Sequence, residues 1–373
     1  MAPGPANMND LVIIQTAQGL ADYIKRQSGG GDLTAVVGYD HRSNDELNLS
    51  SKVFAALTKS VFEAHGISTT LLSPFVPTPL VPFAVQVLPN CCCGIMVTAS
   101  HNPAADDGYK VYWGNGCQIV PPHDSGIAAA ILGALEPRHT YATDIKGDDA
   151  GTADLLEKYY SSITSSLTTS LTAETLADAS APKFAYTAMH GIGLPYTTRS
   201  FASFGLPSFS AVPEQAQPDP TFPTVSFPNP EEKGALDLSQ AFAESNNIDI
   251  VIANDPDADR LAVAERCRKT GAWTVFKGDQ IGVLLGTWMW DSFGKSSDKP
   301  VAMVASAVSS KMLATIGARE GFEFVETLTG FKWIGSGNLD LTKRGYNVIF
   351  SYEEAIGFCC GTTVVDKDGV SAA

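Results

Sequence analysis

Long apolar runs are missing from this chain of 373 residues. No segment reaches the roughly 18 uninterrupted apolar residues that a membrane-spanning helix needs, so we expect no membrane association. The first ten residues have neither the basic start nor the apolar core of a secretory signal peptide, which leads us to expect a cytoplasmic protein. Hydrophobic residues make up 44% and charged residues 17% of the chain, which is typical of a globular protein rather than a disordered one.

Positive charge is also scarce. The chain has 25 lysines and arginines against 40 aspartates and glutamates, which gives a formal charge of −15. A surface this acidic is a poor general partner for nucleic acid, and we expect none. Because the overall field repels anions, any phosphate site has to be built from local cations, backbone N–H groups and a bound metal ion.

The cysteine spacings that hold metals or build disulfide frameworks are absent. Most of the cysteines are adjacent to one another, which suits neither a disulfide framework nor a C-x-x-C metal site. We expect free, mostly buried thiols in a reducing compartment. The seven residues are Cys91, Cys92, Cys93, Cys117, Cys267, Cys359 and Cys360.

Apolar runs that alternate with helical patterns are what the sequence does contain. Strand–helix–strand alternation predicts a parallel sheet covered by helices. One helical pattern covers 49–65, and another runs from the end of a strand to residue 204. The strand-like runs are 33–39, 67–72, 94–98, 184–189, 248–253, 301–306 and 348–352.

The recurrence of this alternation predicts an α/β fold of three consecutive domains with mixed, mostly parallel sheets covered by helices. We place the domains at 1–150, 151–270 and 271–373. A polar helical pattern over 155–171 is expected to bridge the first two. The stretch 215–234 contains five prolines. Alone it could be a proline-rich ligand for another domain, but the strand-like segments on both sides favour an ordered loop inside the second domain.

A serine follows the buried run 94–98 directly, in the segment ASHNP at 99–103. Open α/β sheets place their chemistry at the C-terminal ends of their strands, and Asn-Pro forces a turn that exposes the loop. On spacing alone a simple turn is the more frequent interpretation, and a nucleophilic Ser100 is the alternative. Serine-hydrolase chemistry is disfavoured, because the G-x-S-x-G elbow is absent and His101 is merely adjacent to Ser100.

Three aspartates follow another buried run at alternate positions, namely Asp255, Asp257 and Asp259. Carboxylates this close repel one another strongly unless a cation lies between them. Hard oxygens favour Mg²⁺, which also bridges to phosphate. An EF-hand is excluded, because Arg260 and Arg266 stand where it needs glycine and glutamate. A solvated acidic turn is the remaining alternative, and the buried strand before the motif argues against it.

The segments TASHNP at 98–103 and DPDADR at 255–260 resemble the phosphoserine loop and the metal loop of the α-D-phosphohexomutases. The resemblance implies that Ser100 carries and donates a phosphoryl group, with His101 beside it as a hydrogen-bond donor. It also implies that the three aspartates and a phosphate oxygen on Ser100 hold one Mg²⁺. Arg260 would then stabilise the charge that is transferred.

Two further segments of the first domain resemble segments of the same family. The sequence DGYK that ends at Lys110 is similar to a segment whose lysine helps proton transfer near the serine. The resemblance therefore implies that Lys110 acts as general acid and base, with a solvated lysine as the alternative. The sequence GYDHRS at 38–43 resembles a G-x-D-x-R-x-S turn. This implies that Arg42 faces the site and binds substrate, with a plain surface arginine as the alternative.

The third domain supplies the sugar-binding residues that the resemblance implies. YEEAIG at 352–357 resembles the family's sugar-binding loop, whose ionised glutamates accept hydrogen bonds from hydroxyls. Alanine at 355, together with TLTGFKW at 327–333, is more similar to the phosphoglucomutase-2/phosphopentomutase subgroup. DKDG at 366–369 resembles a segment whose lysine binds a substrate phosphate. The residues so assigned to the substrate are Thr329, Gly330, Glu353, Glu354 and Lys367.

The resemblance implies an intramolecular phosphotransferase that moves the phosphate of a hexose or pentose through a bisphosphate intermediate. Small sugar phosphates are the expected partners, a sugar bisphosphate is the expected activator, and a monomer is the expected state. A glucose-1,6-bisphosphate synthase needs the same loops and stays an alternative. A non-catalytic phosphosugar-binding remnant is the third hypothesis.

Two pieces of the family pattern are missing from this sequence. Family members begin with a G-T-[AS]-G-x-R segment and carry a fourth domain with an R-T-S-G-x-E-P phosphate loop. The resemblance starts here near Asn9 and stops inside a helical pattern at Ala373. Because the fourth domain normally closes over the substrate, we expect a truncated third domain and a weak or inactive chain.

Overall fold

The computed structural model describes residues 1–4, 7–168 and 182–373. Three main sheets follow one another in this part of the chain, and helices pack against each of them. Every one of these sheets combines parallel pairs with at least one antiparallel pair. The fold class expected from the sequence is confirmed.

The first unit is a four-stranded sheet with helices and a small two-stranded ribbon. Its elements are α1 (Asp10–Ser28), β1 (Thr34–Tyr39), β2 (Ser43–Asn44), β3 (Leu49–Ser50), α2 (Ser51–Ala64), β4 (Ser68–Leu71), α3 (Leu80–Val87), β5 (Cys91–Val97), β6 (Tyr109–Trp113) and α4 (His123–Leu132). The strand order is β4-β1-β5-β6, and only β6 is antiparallel to its neighbour. Helix α1 begins where the Asn9 side chain accepts a hydrogen bond from the N–H of Val12, and it ends at Gly29 with φ 65°.

The second unit contains a five-stranded sheet. Its elements are α5 (Asp149–Leu167), β7 (Phe184–Thr187), α6 (Gly193–Ser203), β8 (Ser210–Ala211), a 3₁₀ turn (Pro213–Gln215), α7 (Asp237–Ser245), β9 (Ile250–Ala253), β10 (Ala262–Arg266) and β11 (Trp273–Val275). The strand order is β11-β10-β9-β7-β8, with β10 and β11 antiparallel. The expected bridging helix is α5, and the predicted positions 169–171 lie outside the described residues. The proline-rich stretch is an ordered loop before α7, as predicted.

The third unit repeats the plan of the first. Its elements are α8 (Gly278–Met289), a π-helical turn (Trp290–Gly294), β12 (Val301–Ser306), α9 (Met312–Glu320), β13 (Glu323–Thr327), α10 (Phe331–Lys343), β14 (Asn347–Glu353), β15 (Gly357–Cys360) and α11 (Gly369–Ala372). The strand order is β13-β12-β14-β15, with β15 antiparallel to β14. One buried apolar cluster contains side chains of all three units, among them Val36, Tyr186 and Phe350. The units therefore share a core.

The cysteines match the expectation of free, mostly buried thiols. All seven thiols are free, and five of them are buried, while Cys267 is exposed. Within the described ranges, no helix has both the length and the apolar character needed to cross a bilayer.

A buried hydrogen bond joins helix α5 to the start of α11. The hydroxyl of Tyr159 lies 2.9 and 2.8 Å from the two carboxylate oxygens of Asp368, and both residues are buried. The same carboxylate accepts the N–H groups of Val370 and Ser371, each at 3.1 Å. The Tyr159 hydroxyl thus completes a helix cap in a neighbouring unit.

We expect Tyr159→Phe to lower the free energy of unfolding by about 1–3 kcal/mol, because a buried carboxylate loses a donor. Chemical denaturation followed by circular dichroism measures the change. Tyr346→Phe is the matched control, since the Tyr346 ring is partly exposed and packs on the Arg344 guanidinium. Equal effects of the two substitutions would contradict a stabilising contact between Tyr159 and Asp368.

Candidate active site

Ser100 lies just beyond the C-terminal end of the central strand β5. Its backbone has a left-handed φ of 52°, and its N–H donates to the Thr98 hydroxyl at 2.8 Å. The residue is buried, with 7% of its surface exposed. A left-handed conformation costs a non-glycine residue roughly 1–2 kcal/mol, so the surrounding contacts have to hold it.

Arg42 lies behind the serine loop, residues 99–107, and its side chain is fully buried. The resemblance implied that Arg42 faces the site and binds substrate, whereas the structure places its guanidinium against the main chain of the loop. Its terminal N–H groups are directed at the main chain of the loop, which leaves none for a substrate phosphate. The carbonyl oxygens that accept from them belong to Ser100 at 2.6 Å, Asn102 at 2.7 Å, Pro103 at 2.8 Å and Asp106 at 3.2 Å.

The three aspartates follow β9, and their side chains converge. Asp255, Asp257 and Asp259 each offer one carboxylate oxygen, and these oxygens lie within 4.8 Å of one another. All three residues are buried. The Ser100 hydroxyl donates to Oδ2 of Asp255 at 2.6 Å, across a separation of 155 residues. The serine loop and the loop that carries the three aspartates, residues 255–260 (the aspartate loop), therefore meet at one point.

Lys110, on β6, places a cation in contact with two of the aspartates. Its ammonium donates to Oδ2 of Asp257 at 2.7 Å and to Oδ2 of Asp259 at 2.8 Å. Burial opposes the charged form, but the ammonium holds the pKa of Asp257 below its usual value. Asp255 differs, because burial and the charges of the other two aspartates raise its pKa well above the ordinary value. One ammonium leaves the cluster short of positive charge.

Two oxygens of the cluster fit the expectation of a bound metal ion. Oδ1 of Asp257 and Oδ1 of Asp259 are buried and have no hydrogen-bond partner in the described part of the chain. A buried carboxylate oxygen without a donor or cation is unfavourable. Carboxylate oxygens are the ligands that hard divalent cations prefer, so the three aspartates could hold such an ion.

Two polar residues that the sequence analysis missed hold the aspartate loop in place. Thr78, before α3, donates its hydroxyl to Oδ2 of Asp257 at 2.5 Å and its N–H to the Asp257 carbonyl at 3.0 Å. The Asn254 amide donates to the carbonyls of Arg260 at 2.6 Å and Gly369 at 3.0 Å. No local pattern marks Thr78. Asn254 carried a signal, since it stands between a buried strand and the acidic motif.

Arg260 and Lys367 add two further cations beside the three aspartates. The Arg260 Nε lies 3.9 Å from Oδ2 of Asp255 and 3.7 Å from Oδ1 of Asp259. Its Nη1 donates to the carbonyl of Ala355 at 3.2 Å. The Lys367 ammonium lies 3.6 Å from Oδ2 of Asp259. Side chains from the second and third units thus surround the same carboxylates.

The two adjacent glutamates have different partners. Glu353 ends β14, and its Oε1 lies 3.8 Å from the Lys367 ammonium. Glu354 instead accepts hydrogen bonds from the hydroxyls of Ser306 at 2.8 Å and Ser309 at 3.2 Å. The structure brings Glu353 to the cluster of charges, and it ties the Glu354 carboxylate to two serines.

His101 lies beside Ser100, with its Nδ1 3.4 Å from the serine Oγ. Burial and the Arg260 charge lower the pKa of His101 to about 4. The ring is therefore neutral at pH 7, and one of its nitrogens is a donor. This is compatible with the predicted role of a hydrogen-bond donor next to the serine.

Thr329 and Gly330 stand immediately before helix α10. Thr329 is exposed, and Gly330 has a φ of 106°. The N-terminus of a helix favours anions through its free N–H groups. No hydrogen bond within the described ranges joins these two residues to the serine or aspartate loop, so their place at the substrate stays a prediction.

Each of the three units matches a domain of one known protein family. Sequence models of the phosphoglucomutase/phosphomannomutase α/β/α domains I, II and III match residues 3–137, 157–269 and 277–373. The chain is 46% identical over 385 aligned positions to a human phosphopentomutase. It is 44% identical to a human glucose 1,6-bisphosphate synthase and 43% identical to a phosphoribomutase of Saccharomyces cerevisiae. These alignments cover all of this chain but only 61–62% of each relative.

Solved structures show a similar fold. A Thermus thermophilus protein described as a phosphomannomutase aligns with a TM-score of 0.79 at 24% identity, over 98% of this chain and 74% of the other. The phosphoglucomutase parafusin from Paramecium aligns with a TM-score of 0.69 at 20% identity, over 96% of this chain and 65% of the other. At these identities the likeness concerns the fold alone.

We expect a divalent cation to raise the thermal stability of this chain. An ion that binds only the folded state stabilises it by about 2.7 kcal/mol at a hundred times its Kd, so Mg²⁺ should raise the unfolding temperature above its value in EDTA. Differential scanning calorimetry measures the shift. Asp257→Asn replaces an unpaired carboxylate oxygen and should remove most of it.

Asp45→Asn is the matched control for this prediction, because Asp45 is exposed in the first unit. Its cation-dependent shift should equal that of the unchanged protein. If both substitutions keep the full shift, the ion binds somewhere other than the three aspartates.

Proposed function

This chain belongs to the phosphoglucomutase/phosphomannomutase family of α-D-phosphohexomutases, and we propose that it is a phosphosugar mutase that carries a phosphoryl group on Ser100. The observation that carries the proposal is the 2.6 Å hydrogen bond from the Ser100 hydroxyl to Asp255. This hydrogen bond supports the proposal because the Ser100 hydroxyl, the proposed nucleophile, lies at the edge of a buried acidic cluster with three cations beside it. Phosphoryl transfer depends on positioning and charge neutralisation more than on other covalent chemistry.

The proposed transfer exchanges one phosphorus–oxygen bond for another. A hydroxyl of the sugar phosphate attacks the phosphorus in line with the Ser100 oxygen. The bond from phosphorus to the sugar oxygen forms while the bond to Ser100 Oγ breaks, and a proton passes from the sugar hydroxyl to Oγ. We assign the proton movement to Lys110. The bisphosphate then turns over in the site and returns its other phosphoryl group to Ser100.

The proposed metal ion is Mg²⁺, because three hard carboxylate donors suit it. When bound, it neutralises charge on the phosphoryl oxygens. The residues that would hold it are the three aspartates and an oxygen of phosphorylated Ser100. Arg260, within 3.9 Å of two of these carboxylates, would stabilise the charge on the phosphoryl group. His101 would donate a hydrogen bond to it.

The substrate is proposed to lie between the aspartate loop and the third unit. Glu353 would accept a hydrogen bond from a sugar hydroxyl, and Lys367 would bind a substrate phosphate. Thr329 and Gly330 would contact the substrate at the start of α10. Glu354 would also contribute to substrate binding, with its carboxylate held by the hydroxyls of Ser306 and Ser309.

We propose a phosphoserine domain at 1–150, a metal-binding domain at 151–270 and a sugar-binding domain at 271–373. The proposed substrates are phosphates of hexose or pentose, because relatives named for both are nearly equally similar. The proposed compartment is the cytoplasm, and the proposed state is a monomer.

We expect glucose 1,6-bisphosphate with Mg²⁺ to place a phosphoryl group on the purified chain, detected by intact-mass spectrometry. Ser100→Ala should abolish the adduct, because it removes the accepting oxygen. Ser125→Ala, on the exposed start of α4, should keep it. An unchanged protein that takes up no phosphoryl group, or a Ser100→Ala protein that does, would sink the proposed function. A coupled assay with glucose 1-phosphate and ribose 1-phosphate then ranks the two sugars.

We expect Glu353→Gln to weaken binding of glucose 1-phosphate about tenfold, since a hydrogen bond to a charged group contributes about 1.5 kcal/mol or more. Isothermal titration calorimetry measures the Kd without any turnover. Glu354→Gln is the matched control and should change the Kd far less, because its carboxylate faces two serines. The reverse order of effects would assign the sugar contact to Glu354.

A further inference from the structure

Arg42 connects to the serine loop through the main chain alone. The four carbonyl oxygens that accept from it lie between positions 100 and 106, so they span the segment that carries the nucleophile. Asp40 fixes the arginine in turn. The backbone N–H of Arg42 donates to Oδ1 of Asp40 at 3.0 Å, and the Arg42 Nε lies 3.4 Å from Oδ2 of Asp40. The Ser51 hydroxyl also donates to Asp40, at 2.6 Å.

The serine loop needs such a restraint because Ser100 is held in an unfavourable conformation. Its φ of 52° is one that a serine leaves readily when the surroundings allow it. The carbonyl of Ser100 accepts from Arg42 at 2.6 Å, and this contact acts on the strained peptide itself. The contact therefore influences where Oγ points, and hence its distance to Asp255.

The second unit covers the arginine from the other side. The Phe222 ring, in the proline-rich loop, lies 5.1 Å from the Arg42 guanidinium carbon and is 3% exposed. It also packs edge-to-face with the His41 ring, with 5.4 Å between the ring centroids. A guanidinium over an aromatic face is attracted by it, and exclusion of water strengthens the attraction. Phe227 of the same loop packs beside His101 at 6.1 Å.

The loop that carries Phe222 is anchored to the sheet of the second unit. The Thr224 hydroxyl lies 2.7 Å from Nε2 of His190 and accepts from the Gln215 amide at 2.9 Å. Gln215 in turn accepts from the Thr187 hydroxyl at 2.6 Å. Phe222 has a φ of 48°, which is rare for a bulky side chain and persists only where the surroundings impose it. The ring is thus presented to Arg42 by a rigid support.

We propose that Arg42 is a positioning residue for Ser100, and that Phe222 from the second unit completes the clamp that holds it. The proposal rests on the proposed function in one respect, that Ser100 carries the phosphoryl group. It makes the proline-rich loop part of the transfer site, because the orientation of the serine then depends on docking of the first two units. Arg42 acts through the loop and touches no substrate.

The test compares Arg42→Lys, Phe222→Leu and the surface control Arg26→Lys. Lysine keeps the charge at position 42 but cannot donate to four carbonyls, and leucine keeps an apolar side chain at 222 without the aromatic face. The measurement is the time course of phosphoryl incorporation from glucose 1,6-bisphosphate, followed by intact mass at several concentrations. Hydrogen exchange of the amides of 99–107, read by mass spectrometry, is the second readout.

For Arg42→Lys we expect the maximal rate of phosphorylation to fall about 100-fold, as for a nucleophile misplaced by an ångström. The half-saturating concentration should stay within about twofold of the unchanged value. Exchange in the serine loop should quicken. Phe222→Leu should show the same pattern more weakly, and Arg26→Lys should match the unchanged protein.

Two results would overturn the proposal. One is an Arg42→Lys protein with an unchanged maximal rate and a raised half-saturating concentration, which would make Arg42 a substrate-binding residue. The other is unchanged rate and unchanged exchange in both variants. If Arg42→Lys fails to fold, Phe222→Leu decides by the same criteria. If the unchanged protein takes up no phosphoryl group, the proposed function fails, and the exchange measurement still decides whether the clamp exists.

Discussion

Three carboxylates buried within 4.8 Å of one another are the constraint on which the rest of the structure depends. Two unit charges about 4 Å apart interact with about 4 kcal/mol at an effective dielectric constant of 20, so the aspartate loop stays folded only with positive charge around it. The chain has a net charge of −15 and supplies that charge locally. Lys110 on β6, Arg260 in the aspartate loop itself and Lys367 just before α11 lie beside the cluster. The burial of negative charge therefore determines which surfaces of the three units meet.

The same residues therefore form the site and join the units to one another. Thr78 of the first unit and Lys367 of the third contact the aspartates of the second, so separating the units leaves buried carboxylates with fewer partners. Breaking such a buried pair destabilises proteins by about 3–5 kcal/mol. The serine loop also depends on contacts between units, because Arg42 of the first unit holds the loop and Phe222 of the second unit covers Arg42. The geometry at Ser100 is then a property of the docked units.

Local pattern explains the parts of this structure that were predicted correctly. The strand Val301–Ser306 was found where it was expected, because a continuous apolar run between polar neighbours fixes it. Ser100 and the aspartates were found at strand ends because each motif follows its strand without a linker. The contacts of Arg42 with the main chain of the serine loop and of Thr78 with Asp257 were not predicted. Arg42 lies 58 positions from Ser100, and Thr78 lies 179 positions from Asp257, and no periodicity in a sequence encodes such pairs.

The sequence pattern located the adjacent glutamates Glu353 and Glu354 but did not show which of them faces the aspartates. Glu353 is the last residue of β14, and Glu354 lies in the turn that follows. The two carboxylates have different partners, Lys367 for Glu353 and two serines for Glu354. The choice between them depended on Ser306 and Ser309, whose own sequence context gives no sign of this role. The outcome has a chemical consequence. Glu353 and Lys367 lie 3.8 Å apart, so a phosphate that binds Lys367 competes with this carboxylate. A sugar hydroxyl that donates to Glu353 weakens that competition, so a ligand with a hydroxyl and a phosphate on one molecule gains more than the two groups would gain separately.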